Sequence, residues 1–223
     1  MGRYMKMIKN SLKVASYAGL VKISGLIKIS FLIGSQMIWF SAANSVLPLA
    51  GAFGGVMGSV LVFLVRQLLH LIFFKTVSLS FLAFCVPGLC ASLYLATHHY
   101  VIRLLLPIAC MGLFMVHSVG AQAFIYSLYW LIPVVLFFVP QRAFFLQALG
   151  STFVAHAVGS VIWLYTVPMT AHMWIALMPI VLLERVLFAL GMVIAQRMLS
   201  FIFGAIDAVD TVDKKSVASV IHQ

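Results

Sequence analysis

A chain of 223 residues that is 64% hydrophobic and 8% charged carries too much apolar surface for a soluble domain, where the averages are about 45–50% and about 25%. The composition predicts an all-α membrane protein, a polytopic helical bundle in the cell inner (plasma) membrane. It excludes a sizeable extramembrane domain; the sequence also holds no phosphate-binding glycine loop and no Cys/His ligand cluster, so no cofactor and no metal is expected.

Fourteen Lys and Arg face four Asp and Glu. Six of the basic residues come first: Arg3, Lys6, Lys9, Lys13, Lys22 and Lys28. Basic residues beside membrane segments stay in the cytoplasm and attract anionic lipid, so residues 1–24 are read as a cytoplasmic or interfacial segment. A helix over residues 4–24 lying along the membrane is expected. Nucleic acid is not expected as a partner. The basic stretch lacks the pattern of a cleavable signal peptide.

Apolar runs then predict the spans. The first covers residues 25–43 and ends in the turn Asn44 to Pro48. The second covers residues 50–73, with Lys75 just beyond. The third covers residues 76–96 and stops at Thr97, His98, His99 and Tyr100. Residues 101–139 are too long for one simple span and barely long enough for two. A further span covers residues 144–165, and the last covers residues 174–200. The bundle is thus placed at residues 25–203, with a polar cytoplasmic tail at 204–223. Cys85, Cys90 and Cys110 fall in apolar runs, where packing is the expected role.

The distribution of basic residues chooses between six and seven spans. If residues 101–139 cross twice, Arg142, Lys214 and Lys215 fall outside. If they cross once, with the remainder re-entrant, those residues and the N-terminus share the cytoplasm, and only Arg103 lies near the outside. Six transmembrane helices with both termini cytoplasmic are therefore expected, with seven as the alternative.

Small residues recur at four-residue spacing, which puts them on one helix face and lets backbones approach. Gly51, Gly55 and Ser59 form one row, Gly54 and Gly58 a second, and Ser151, Ala155 and Gly159 a third. These are read chiefly as tight helix packing. Ser30 and Gly34 form a weaker row in the first span.

Ionisable residues inside spans are costly and usually face a bundle interior. Glu184 lies about 15 Å into the last span at 1.5 Å per residue, at the expected depth of His156 in the preceding antiparallel span. Arg185 points about 100° away and is not expected to pair with Glu184. The pair His156 and Glu184 reads either as a polar lock between helices or as a substrate contact. Asn44, His117, Gln122, Tyr126, Ser160 and Trp163, with Tyr165 and Trp174, are expected to gather in the outer half as a pocket of aromatic walls and a few polar groups.

Two stretches carry a family resemblance: Pro48 to Gly58, a glycine-rich helix entry, and Ser151 to Ser160, a polar small-residue helix. Together with the six-span plan, they make the chain resemble the substrate-binding (S) component of energy-coupling-factor (ECF) vitamin transporters. The resemblance implies a subunit, not an enzyme, that captures a small vitamin-like solute for uptake beneath the loop at residues 44–49. It implies a transmembrane coupling subunit and ATPase subunits as partners. Docking on the coupling subunit would fall to Ser30 and Gly34, where that family often carries Ala-x-x-x-Ala. The competing readings are an intramembrane enzyme or lipid-handling protein using His156 and Glu184 as acid and base, and a structural subunit of a membrane complex.

Overall fold

The computed structural model describes residues 2–33, 36–75, 79–140 and 143–221. The chain divides into two compact units, Met1–Val46 with Ile194–Gln223, and Leu47–Val193.

In the first unit, helix α1 runs Gly2–Leu26, which agrees with the basic helix expected over 4–24. The expected first span is not a helix. Strands β1 (Lys28–Ile33) and β2 (Gln36–Ser41) pair antiparallel, from Lys28 opposite Ser41 to Ile33 opposite Gln36. The physical reason is local. Both segments are rich in β-branched and aromatic residues, and a Gly-Ser pair, a hairpin signal, separates them in the sequence. Hydropathy summed over the window does not see this. A short helix α2 (Ala43–Val46) follows, and Tyr17 reaches from α1 to donate to the Val46 carbonyl at 3.4 Å.

The second unit is a helical bundle. Its elements are α3 (Leu49–Phe74), α4 (Leu79–Ala96), a wide π-type turn at Val101–Leu105, α5 (Leu106–Val116), α6 (Ser118–Gln122), α7 (Phe124–Ser127), a 3-10 turn at Leu128–Trp130, α8 (Leu131–Phe138) and α9 (Phe144–Thr166). Helix α10 runs Ala171–Ile221, and its residues through Val193 belong to this unit. Among the described residues, three helices are long and apolar enough to cross a membrane: Leu49–Ile72, Phe144–Thr166 and Ala171–Ile206. Three shorter apolar helices, Cys85–Ala96, Val101–Val116 and Phe124–Phe138, accompany them.

The stretch at residues 101–139, expected to cross once with a re-entrant remainder, doubles back on itself. Helix α5 leads away from Arg103 and α8 returns, so that Phe137 to Pro140 line one cleft with His98 and Arg103. A single crossing would put Arg103 and Pro140 at opposite ends. His117 makes the reversal possible. It leaves the helix with extended backbone (ψ 137°), and its Nδ1 accepts from the Val119 N–H at 3.3 Å, which caps α6.

Small residues set the spacing of α3, α4 and α9. A Cβ on Gly51 would strike the Ser92 backbone carbonyl, and one on Gly150 would strike the Tyr94 hydroxyl. Ser92 donates to Ser59 at 2.8 Å, and Ser59 donates to the Gly55 carbonyl at 3.0 Å. Ser151 donates to the Ala91 carbonyl at 2.8 Å. Gly51 and Ser59 thus pack internally against α4, as does the row headed by Ser151. Gly55 has φ +61° and ψ −156° inside α3, a backbone conformation essentially reserved for glycine. That residue kinks the helix; no neighbour lies within 4 Å of where its Cβ would be.

Candidate functional site

Tyr126, His156 and Ser160 come together in the second unit. The Tyr126 hydroxyl lies 2.8 Å from His156 Nε2 and 3.4 Å from Ser160 Oγ, and Ser160 Oγ lies 3.3 Å from the same Nε2. The spacing of His156 and Ser160, four residues apart on α9, puts both on one face. Tyr126 is delivered by α7, which begins where Ala123 breaks the backbone after α6. The imidazole tautomer sets which of the three groups donates to which.

Aromatic rings close around this triad. Phe114, Tyr126, Trp130 and Trp174 are all at most 2% exposed. Phe114 stacks on Tyr126 at 5.6 Å, and meets Trp130 and Trp174 edge-on, each at 5.3 Å. Tyr126 meets Trp174 edge-on at 4.9 Å. Both indole nitrogens, Trp130 Nε1 and Trp174 Nε1, are buried with no hydrogen-bond partner among the described residues. Buried polar groups are ordinarily satisfied, so each such orphan requires an explanation. The set places a tyrosine, a histidine and a serine with two indole N–H donors inside one aromatic core cluster.

The other expected site residues do not join it. Glu184 pairs with Arg185, the neighbour it was expected to avoid. Two long side chains lean toward each other, which a count of 100° per residue ignores. It is Arg185, not Glu184, that reaches α9: its Nη1 lies 3.4 Å from the Thr152 carbonyl, one turn before His156. His117 caps α6 and meets the Tyr165 ring at 5.0 Å. Gln122 is exposed and donates to the Ser118 carbonyl of its own helix at 3.3 Å. Trp163 is 42% exposed, with its Nε1 3.1 Å from Met169 Sδ, as an interfacial anchor would be. Asn44 lies on α2 in the first unit. Ser30 lies on β1, so helical spacing does not relate it to residue 34, and Gly34 itself is outside the described residues.

Sequence reading missed Trp130 and Phe114. The signal was present for Trp130, four residues after Tyr126, but the irregular helices between His117 and Leu131 hid the shared face. Among the described residues, no three His, Cys, Asp or Glu side chains gather as metal ligands.

No family model, no curated protein and no solved structure matches the chain.

Proposed function

We propose that the chain is an integral membrane subunit that binds a small vitamin-like solute for uptake, as the S component it resembles does, with the Tyr126, His156 and Ser160 triad as the polar heart of its site. The observation that carries the reading is the pair of unpartnered indole N–H groups beside that triad. A bound acceptor would satisfy them. In this reading the chain catalyses nothing, and partner ATPases with a coupling subunit supply the energy. The acid–base alternative has less support, because the Glu184 carboxylate is engaged by Arg185.

The test is native mass spectrometry of the gently purified protein, searching for a retained small molecule. Tyr126→Phe is expected to weaken retention about tenfold, the worth of one lost hydrogen bond in a buried site, while the thermal melt moves little. Equal retention by Tyr126→Phe and His156→Ala would remove the triad from the site.

A side-assignment accompanies this reading. If α3, α4, the two legs of residues 101–139, α9 and α10 each cross, Arg103 falls on the side from which α3 starts. Lys75 is the basic residue, among the described loop residues, that falls opposite. The positive-inside rule then assigns the His98 loop to the cytoplasm. A cysteine placed at His99 should resist a membrane-impermeant thiol reagent in intact cells, and one placed at Thr170 should react. The reverse pattern would overturn this orientation.

A further inference from the structure

A second feature lies away from the aromatic core. A cleft of about 420 Å³ opens at the end of the second unit, lined by His98, Arg103, Phe137, Phe138, Val139 and Pro140. Its volume falls in the range of ligand pockets, about 300–1,000 Å³, and is far larger than an inorganic anion needs.

The two walls differ in chemistry. Arg103 is 2% exposed. It is held rigidly: Nε donates to the Thr97 carbonyl at 2.9 Å, Nη2 donates to the Tyr94 carbonyl at 2.8 Å, and the guanidinium stacks over the Tyr94 ring at 4.3 Å. These contacts also close the C-terminal end of α4, where carbonyls lack partners. His98, exposed at the cleft mouth, is held below the usual histidine range by the Arg103 charge, with burial adding to it. The opposite wall is apolar. Phe137 and Phe138 meet edge-on at 5.1 Å, and Phe138 is 71% exposed.

We propose that this cleft is a binding site for an acidic phospholipid, its phosphate against Arg103 and His98 and its acyl chains along Phe137, Phe138 and Val139. The inference does not rest on the solute reading above; it needs only that the chain sits in a bilayer. With Nε and Nη2 already given to backbone carbonyls, Arg103 offers a phosphate chiefly its fixed positive charge at the cleft wall. A free anion would use the polar wall and leave the phenyl wall idle, whereas a lipid uses both. The cleft lies where apolar helices end, at Ala96, Val101 and Phe138, as a headgroup site would if those helices enter the bilayer. A bound phosphate would also relieve the repulsion between Arg103 and a protonated His98.

The experiment uses the full chain in a neutral detergent and titrates dihexanoyl phosphatidylglycerol, dihexanoyl phosphatidylcholine and inorganic phosphate, reading the thermal melt and lipid adducts by native mass spectrometry. Phosphatidylglycerol should raise the melting temperature and form one saturable adduct, and the other two should do neither. His98→Ala should weaken the effect several-fold, and Phe138→Asp, which sets a negative charge on the apolar wall, should weaken it about tenfold or more. Arg103→Gln should abolish it. Because Arg103 also closes α4 and its variant can fail to fold, the first two variants decide. Equal shifts with inorganic phosphate would reduce the site to an anion site and overturn the lipid assignment. Equal shifts with phosphatidylcholine, or unchanged binding in both His98→Ala and Phe138→Asp, would overturn the site itself.

Discussion

Gly51→Ala is expected to lower the stability of the purified protein by about 1–3 kcal/mol or more, the cost of overpacking a tight contact. The added Cβ meets the Ser92 backbone carbonyl, which cannot rotate away as a side chain can. To accept it, α3 and α4 must separate, and the buried Ser92 to Ser59 hydrogen bond of 2.8 Å goes with that contact. Gly54→Ala, three residues on, places its Cβ in open space and should leave the melt unchanged or slightly raised, since alanine is the better helix former. Gly55→Ala should cost about 1–3 kcal/mol for a different reason, backbone strain at positive φ. Thermal melts of the three variants in one detergent separate these causes. If Gly51→Ala and Gly54→Ala melt together, the α3 and α4 contact is not as close as described.

The second large effect concerns the one carboxylate in the apolar portion of α10. Glu184→Leu strips Arg185 of its ion-pair partner, in a region where the two side chains are only 12% and 11% exposed. Removing one partner of a buried pair costs about 3–5 kcal/mol, whereas replacing both with apolar residues is often neutral. The double change Glu184→Leu with Arg185→Leu should therefore recover most of what Glu184→Leu loses. Arg185 also stacks on Phe188 at 4.9 Å, a contact that leucine partly replaces by packing. A melt of the two single variants and the double variant tests this as a cycle. Additive losses would mean that Glu184 and Arg185 stabilise the helix independently. Recovery of stability without recovery of solute retention would give the pair a part in the site as well.

What was legible in the sequence followed from spacing within a single regular helix. His156 and Ser160 share a face of α9 because they are four apart, and Ser151 and Gly159 face α4 for the same reason. Helices α3 and α9 begin and end within a residue or two of the apolar runs that predict them. Three things were not legible. Residues 28–41 are apolar enough for a span, but β-branched and aromatic residues around a Gly-Ser pair pair with each other instead. Residues 101–139 break at His117, where the polar run His117 to Gly120 interrupts the apolar stretch, but that the chain then doubles back is set by a local cap and not by hydropathy. Arg185 turned to Glu184 because reach along flexible side chains outweighs the angle between their Cα positions. In each case the deciding contact is short-ranged and specific, and an averaged property over a window erases it.

The hairpin has a consequence for how the chain enters a bilayer. Each strand of a two-stranded sheet keeps one edge of N–H and C=O groups with no ladder partner, and hydrocarbon offers nothing to satisfy them. Residues 28–41, although oily in composition, can therefore sit in water, among headgroups or under a covering protein surface, but not bare among acyl chains. Among the described residues, the first helix both long and apolar enough to pass into lipid is in α3. During synthesis the insertion machinery would meet the hairpin before it meets such a helix, so the hairpin is a spacer between the lysines Lys13 and Lys22 and the first segment that lipid can accept.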